Sequence, residues 1–490
     1  MTNNPGFEQG STSHGLLGNL KRRATADVKG EYRTATPLTR HPACLTTALL
    51  PNLRMRHQLH TDSLASRKLD AINDAVRSSD ASRLSILGAS PFGFVNRAMR
   101  QKAWSLLLLG CYSMDSEGDI LRDALGPGSN RRRDSSKQKS SKAKHQQTST
   151  EETMHQIGLD VPRSFTHFGW DTLSTPTTDT NQSVSLIFST EIPVDPPPNK
   201  DLLRASLDTL LRSVFMSNPH LRYYQGFHDV CSLLILTYGP SHPHLPALAT
   251  ALANSHLRDF MTPTLSGLLS FSHLLLPLLE TSSPVLYKHL VSFSPTPSIT
   301  SIPLTPTLSW LLTLLVHDTS NLEILQRIWD FYLSSHPISS LYLITAILLS
   351  HQPQLLALSD ETDIFQYIKA VPKSFNLDFI DARIQDSVML RKKYPQDRFT
   401  TSFPPSSMIQ SYPNLRARLS DPFDNDPYTD CHDLFDAFCG ELERCGGDVG
   451  GAEKIREDAR GSIFIAVAVG VISLGLWYQG YVNFMTTGLI

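Results

Sequence analysis

Closely paired cysteines are missing from this chain. Its six cysteines, Cys44, Cys111, Cys231, Cys431, Cys439 and Cys445, show no disulfide framework, and the cluster of Cys431, His432, Cys439 and Cys445 lacks the C-x₂₋₄-C spacing that closes a tetrahedral zinc site. Reduced thiols in a cytosolic domain are the reading that follows. Net charge is scarce as well: 44 Lys and Arg stand against 46 Asp and Glu, a balance of −2 that exerts no global pull toward nucleic acid. No apolar run precedes the basic pair Arg22 and Arg23, which argues against a secretory signal peptide. A G-x-x-x-x-G-K-[ST] loop does not occur, so a P-loop GTPase or kinase is unsupported. Sustained period-two alternation and strand–helix repeats are also lacking, and the ordered part is expected to be all-α.

One long stretch lacks charge altogether. From Gly461 to Ile490 there is no Asp, Glu, Lys or Arg. As a helix, the apolar run 462–482 spans about 31 Å, enough to cross a bilayer. Trp477, Tyr478 and Tyr481 sit at its far end, and Lys454, Arg456 and Arg460 at its near end, which orients the bulk of the protein to the cytosol. Residues 461–483 therefore read as a transmembrane tail anchor.

The chain holds 40% hydrophobic residues, enough for a core, together with 32 prolines and many Ser/Thr clusters. Residues 1–63 carry no sustained periodicity and read as a disordered lead. Order is expected over 64–392, interrupted by loop inserts near 111–153 and 171–199. The first insert includes seven Lys and Arg against one Asp between Arg131 and Lys144, a run that cannot bury itself and belongs in solvent. The second contains Pro176, Pro193 and Pro196 to Pro198. After it, Leu203, Leu207, Leu210, Leu211 and Val214 recur at spacings of three and four, which predicts an amphipathic helix ending near Asn218. Further helices are expected around 246–260, 264–280, 307–316, 321–334 and 339–350. Pro, Asp, Gly and Ser return from about Lys393, and 393–460 reads as a linker with one short helix near Cys431 to Cys445.

Two short segments stand out for chemistry. The first runs from Ile157 through Asp160 to Arg163; the second runs from Asn218 to Phe227 and includes Tyr223, Tyr224, Gln225 and Gly226. They resemble the I-x-x-D-x-x-R and Y-x-Q signatures of TBC-domain proteins, the activators of Rab GTPases. Arg327-Ile-Trp329-Asp330 is similar to that family's later R-[IVL]-W-D block. Gly93 to Gly110, with Arg100 and Trp104, is similar to its opening block. The four occur in the family's order over roughly residues 90–350, and with a C-terminal span they look closest to the endoplasmic-reticulum-anchored subgroup.

The resemblance implies a TBC-type helical domain acting on a Rab-family small GTPase in its GTP form. The implied role is that of a GTPase activator supplying catalytic groups in trans rather than an enzyme with its own turnover. Arg163 and Gln225 are the implied catalytic fingers. Asp160 positions the arginine loop, Tyr223 orders the glutamine loop, and Gly226 lets the backbone approach the partner. No cofactor of its own is implied, since GTP and Mg2+ are carried by the partner. The membrane is reached through the C-terminal helix at the endoplasmic reticulum, with the catalytic domain cytosolic and a role in early secretory traffic; no nucleic acid is involved.

The physical case stands beside the family name. Phosphoryl transfer spreads negative charge over the γ-phosphate oxygens, and a guanidinium is always charged and presents a planar fork to two of them. An amide side chain donates and accepts at once, so it can hold the attacking water in line. Two other readings remain open at this point: a Rab-binding scaffold without catalysis, and a metal-dependent phosphohydrolase built on His228-Asp229 and His317-Asp318.

Overall fold

The computed structural model describes residues 64–110, 139–168, 199–421, 424 and 426–444. The expected lead 1–63, most of both inserts and the expected anchor 461–483 lie outside the described residues. Every regular element among the described residues is a helix. None of them is long and apolar enough to cross a membrane.

Local sequence explains most helix limits. Asn96 caps the helix Arg97–Leu109 by accepting the Met99 N–H at 3.0 Å. Gly110 ends that helix in the left-handed region, at φ 73°. A Cβ there would lie 2.6 Å from the Leu419 carbonyl oxygen, so a later helix can approach only because this residue is glycine. Asn199 caps Lys200–Ser217, whose buried face is Leu203, Leu207, Leu210, Leu211, Val214 and Phe215. That face is the one the three-and-four spacing predicts. The run expected at 264–280 is two helices, Ser266–His273 and Leu275–Ser282. The run at 307–316 stops at Leu312, because Leu314 and Leu315 adopt φ of 50° and 68°.

The helix Leu322–Leu333 is buried at every position from Ile324 onward. Its charged residues join segments far apart in the chain. Asp330, fully buried, accepts from Arg100 Nε at 3.0 Å, Trp104 Nε1 at 2.9 Å and the Phe94 N–H at 2.9 Å. Arg327 pairs with Asp381 at 2.5 Å and donates to the carbonyls of Gly88 and Ser90. The later R-I-W-D block and the opening block are thus two halves of one buried polar joint. Trp104, Trp310 and Trp329 are fully buried and Phe331 nearly so, as core packing requires. Replacing Asp330 by Ala would strand the Arg100 guanidinium inside the core, and we expect a loss of about 3–5 kcal/mol. Denaturant melts of the variant check this; an unchanged midpoint would remove the joint from the account of stability.

Two expectations need correction. The insert near 111–153 is not loop throughout, because the helix Lys139–Asp160 occupies its last part. The segment 393–460 is more than a linker: beside the helix expected near Cys431 to Cys445, found at Cys431–Arg444, it carries the helix Met408–Leu419, and both are packed on the core. Asp259 accepts the Met408 N–H, Arg258 donates to the Ser406 carbonyl and Ser411 Oγ at 2.8 Å, and Tyr428 donates to the Leu108 carbonyl. Pro413 inside the first of these helices masks its apolar positions, Met408, Ile409, Tyr412, Leu415 and Leu419.

This docking depends on neutral histidines. His336 Nε2 lies 2.9 Å from the Ile409 carbonyl, while its Nδ1 accepts the Ile338 N–H at 3.2 Å, so both ring nitrogens are used by one neutral tautomer. Burial, with Arg391 nearby, lowers the His336 pKa to about 3, and burial with Arg416 and His336 lowers that of His256 to about 3. Between these values and the unfolded value near 6.5, the unfolded chain binds more protons. Their stabilisation is therefore complete above pH 6.5 and declines as pH falls toward 3. His336→Gln preserves both hydrogen bonds without the titration. Wild type should lose about 2 kcal/mol more than this variant between pH 7 and pH 5. Equal losses in paired chemical melts would contradict the assignment.

Candidate functional site

The arginine segment is built on the end of the helix Lys139–Asp160. Ile157 and Val161 are buried and hold that end on the core. Pro162, at the start of the short 3-10 turn Val161–Arg163, suits a position whose N–H has no helical partner. Ser164 Oγ donates back to the Asp160 carbonyl at 3.0 Å, and the chain then turns at Phe165 with φ 64°. Arg163 is left with its side chain 44% exposed, ion-paired through Nη2 to the fully buried carboxylate of Asp160.

The glutamine segment is a loop between Lys200–Ser217 and Phe227–Tyr238. Its first anchor is the Arg222 N–H, which donates to the Met261 carbonyl at 2.8 Å. Its second is Tyr224, buried, whose hydroxyl donates to the Leu312 carbonyl at 2.9 Å. Gly226 follows with φ 121°, a conformation closed to side chains, and a Cβ would sit 3.1 Å from Thr313 Cγ2. Gly226 is buried, and its positive φ sets the loop's backbone at this point. Between these anchors Gln225 is held half-buried.

Asp160 connects the two segments. The Tyr223 hydroxyl donates to Asp160 Oδ2 at 2.6 Å, while Oδ1 receives Arg163 and, at 3.3 Å, Gln156 Nε2. Burial and the Asp160 charge push the Tyr223 pKa well above its ordinary value, so the phenol remains a donor. Tyr223 also lies 3.0 Å from His228 Nδ1, which accepts the Gly226 N–H at 3.3 Å. The structure thus brings Arg163 and Tyr223 onto the buried carboxylate of Asp160, with Gly226 behind them on His228.

A neighbouring network lies behind them. Asp229 Oδ2 is 3.1 Å from His317 Nδ1, and Asp229 Oδ1 is 3.5 Å from His228 Nε2. Burial alone would raise the Asp229 pKa, yet His228 and His317 outweigh it and hold the carboxyl well below the usual range. On His317, burial opposes charge, but the hydrogen bond and charge of Asp229 push its pKa up to about 9. Of the two His-Asp pairs of the sequence, His228 and Asp229 are in contact, whereas His317 turns to Asp229 and Asp318 accepts from Ser309 Oγ at 2.8 Å. His167, which sequence reading passes over, packs its ring 5.7 Å from that of His317. Its position just after a positive-φ Phe165 offers no periodic signal that would have found it.

Residues 192–356 match the family described as Rab-GTPase-TBC domain. The match contains Tyr223, Gln225, Gly226 and Asp330, whereas Asp160 and Arg163 precede it. Among curated relatives, the GTPase-activating protein gyp10 of Schizosaccharomyces pombe is 35% identical over 179 residues, covering 36% of this chain and 46% of that protein. TBC1 domain family member 20 of Homo sapiens is 26% identical over 192 residues, covering 39% of this chain and 45% of that protein. The chain spans less than half the length of these relatives. The crystal structure of the Ypt/Rab-GAP domain of Gyp1p aligns with a TM-score of 0.46 and 16% identity, covering 67% of this chain and 99% of that one.

Proposed function

We propose, from the premise that this chain carries a Rab-GTPase-TBC domain across residues 192–356, that it accelerates GTP hydrolysis by a Rab-type GTPase through Arg163 and Gln225. The observation that carries this reading is the bond from Tyr223 to Asp160, which ties the arginine segment, outside the matched stretch, to the glutamine segment within it.

The chemistry follows from those positions. A GTPase carries its own nucleotide and Mg2+ but lacks a cation where charge develops on the transferring phosphoryl group. Arg163, partly exposed and tethered at its base, exchanges its carboxylate partner for phosphate oxygens. Asp160 keeps Tyr223 and Gln156 as donors after that exchange, so its buried charge is not abandoned. Gln225 takes the water-positioning task by donating one hydrogen bond and accepting another. No resident cofactor is required of this chain.

A scaffold that binds a Rab without catalysis has no need for a partly exposed arginine held, through Asp160 and Tyr223, on the loop that carries Gln225, which favours the catalytic reading. The test is a panel of GTP-loaded Rabs mixed with the full chain. At least one should show hydrolysis raised by orders of magnitude; a panel with binding but no acceleration would leave only the scaffold.

We place the domain on the cytosolic face of the endoplasmic reticulum, held by residues 461–483, in early secretory traffic. As a helix, the apolar run 462–482 within it would span about 31 Å, and with Gly470, Gly475 and Gly480 it suits a thin early-secretory bilayer. Confining activator and lipidated GTPase to one surface raises their effective concentration without new contacts. Deleting residues 461–490 should leave turnover of soluble Rab unchanged and weaken action on vesicle-bound Rab. Release of the full chain from membranes by alkaline carbonate would refute the anchor.

A further inference from the structure

The network behind the arginine has a donor set of its own. One potential ligand atom from each of His167, Asp229 and His317 lies within 4.8 Å of the other two. Asp229 is buried in the first turn of Phe227–Tyr238, and its other oxygen is steadied by His228. His167 adds a second observation. Its Nε2 is buried and has no hydrogen-bond partner among the described residues, while the ring hydrogen-bonds the Val316 backbone. With Nε2 unpartnered, that bond falls to Nδ1 as donor, which leaves the imidazole lone pair on Nε2. Nothing in the GTPase chemistry uses this lone pair.

We propose that His167, Asp229 and His317 form a binding site for one divalent transition-metal ion of the zinc class. Two imidazoles and a carboxylate are the donors such an ion takes, and a ligating histidine ordinarily donates its other N–H to a carbonyl or carboxylate. Tetrahedral coordination brings ligand atoms to about 3.3 Å from one another, so the three side chains close inward on binding. His167 sits on a loop rather than in a helix, outside the helical framework that holds Asp229. The site stands independently of the GTPase reading.

The experiment is a titration of the metal-free full chain, in detergent, with Co2+ followed by its visible absorption, then Zn2+ in competition. Wild type should take one Co2+ per chain and yield it to Zn2+. His167→Gln and His317→Gln should each weaken binding by about tenfold or more. A variant with Cys431→Ser and Cys439→Ser should bind as wild type does, since those thiols are not ligands. If His317→Gln fails to fold, His167→Gln decides alone, because its Nε2 makes no bond that the fold could miss. Less than one equivalent in wild type, undiminished binding in His167→Gln, or loss of binding in the cysteine variant would each overturn the site and leave only an ion-pair network.

Discussion

Arg163→Lys should lower the chain's stimulation of GTP hydrolysis by about 10³-fold or more, nearly as far as Arg163→Ala. Lysine is the sharper variant. It keeps a cation for the buried Asp160 carboxylate, so the arginine turn should remain folded, with Tyr223 and Gln156 still donating to that carboxylate. What it loses is the planar fork that reaches two phosphate oxygens at once. An unchanged melting curve with a collapsed rate would locate the defect in the transition state rather than in the fold. Near wild-type turnover by either variant, measured under single-turnover conditions on the responding Rab, would end the arginine-finger assignment.

Gln225→Ala should cost about 10²-fold or more in rate, the range for one preorganised group acting on the reacting centre. Its backbone is fixed on both sides, by buried Tyr224 and by Gly226 at φ 121°, so truncating the side chain should not move the loop. The stronger form of the claim concerns the partner. If Gln225 stands in for the GTPase's own glutamine, a Rab with that glutamine changed to Ala should still respond to the wild-type chain. Failure to respond would reduce the mechanism to a single finger.

The helical class was legible because apolar spacing of three and four persisted through segments such as Leu203 to Val214, and the buried face of Lys200–Ser217 follows it. Other features were hidden for physical reasons. Leu314 and Leu315 take positive φ without glycine, so nothing in the residue types announces that turn. The docking of Met408–Leu419 rests on Asp259, Arg258 and His336, which are polar groups that look like surface until their partners are known. At the site, the arginine and glutamine segments could be read in order, but the bond that joins them spans 63 residues and depends on a tyrosine hydroxyl finding one carboxylate oxygen. The pairing of Asp229 with His317 was hidden for the same reason: each has a nearer acid or histidine in sequence, and only the fold brings these two within 3.1 Å.

The central claim is that this chain is complementary to the transition state of a Rab's GTP hydrolysis. Transition-state analogues bind far more tightly than ground states when catalytic groups are correctly placed. The decisive measurement is therefore the affinity of the full chain for its responding Rab loaded with GDP, with and without aluminium fluoride. The account predicts tight binding only with aluminium fluoride, lost in Arg163→Ala and Gln225→Ala. Equal affinity with and without it, or binding indifferent to both substitutions, would contradict the account and leave a Rab-binding scaffold.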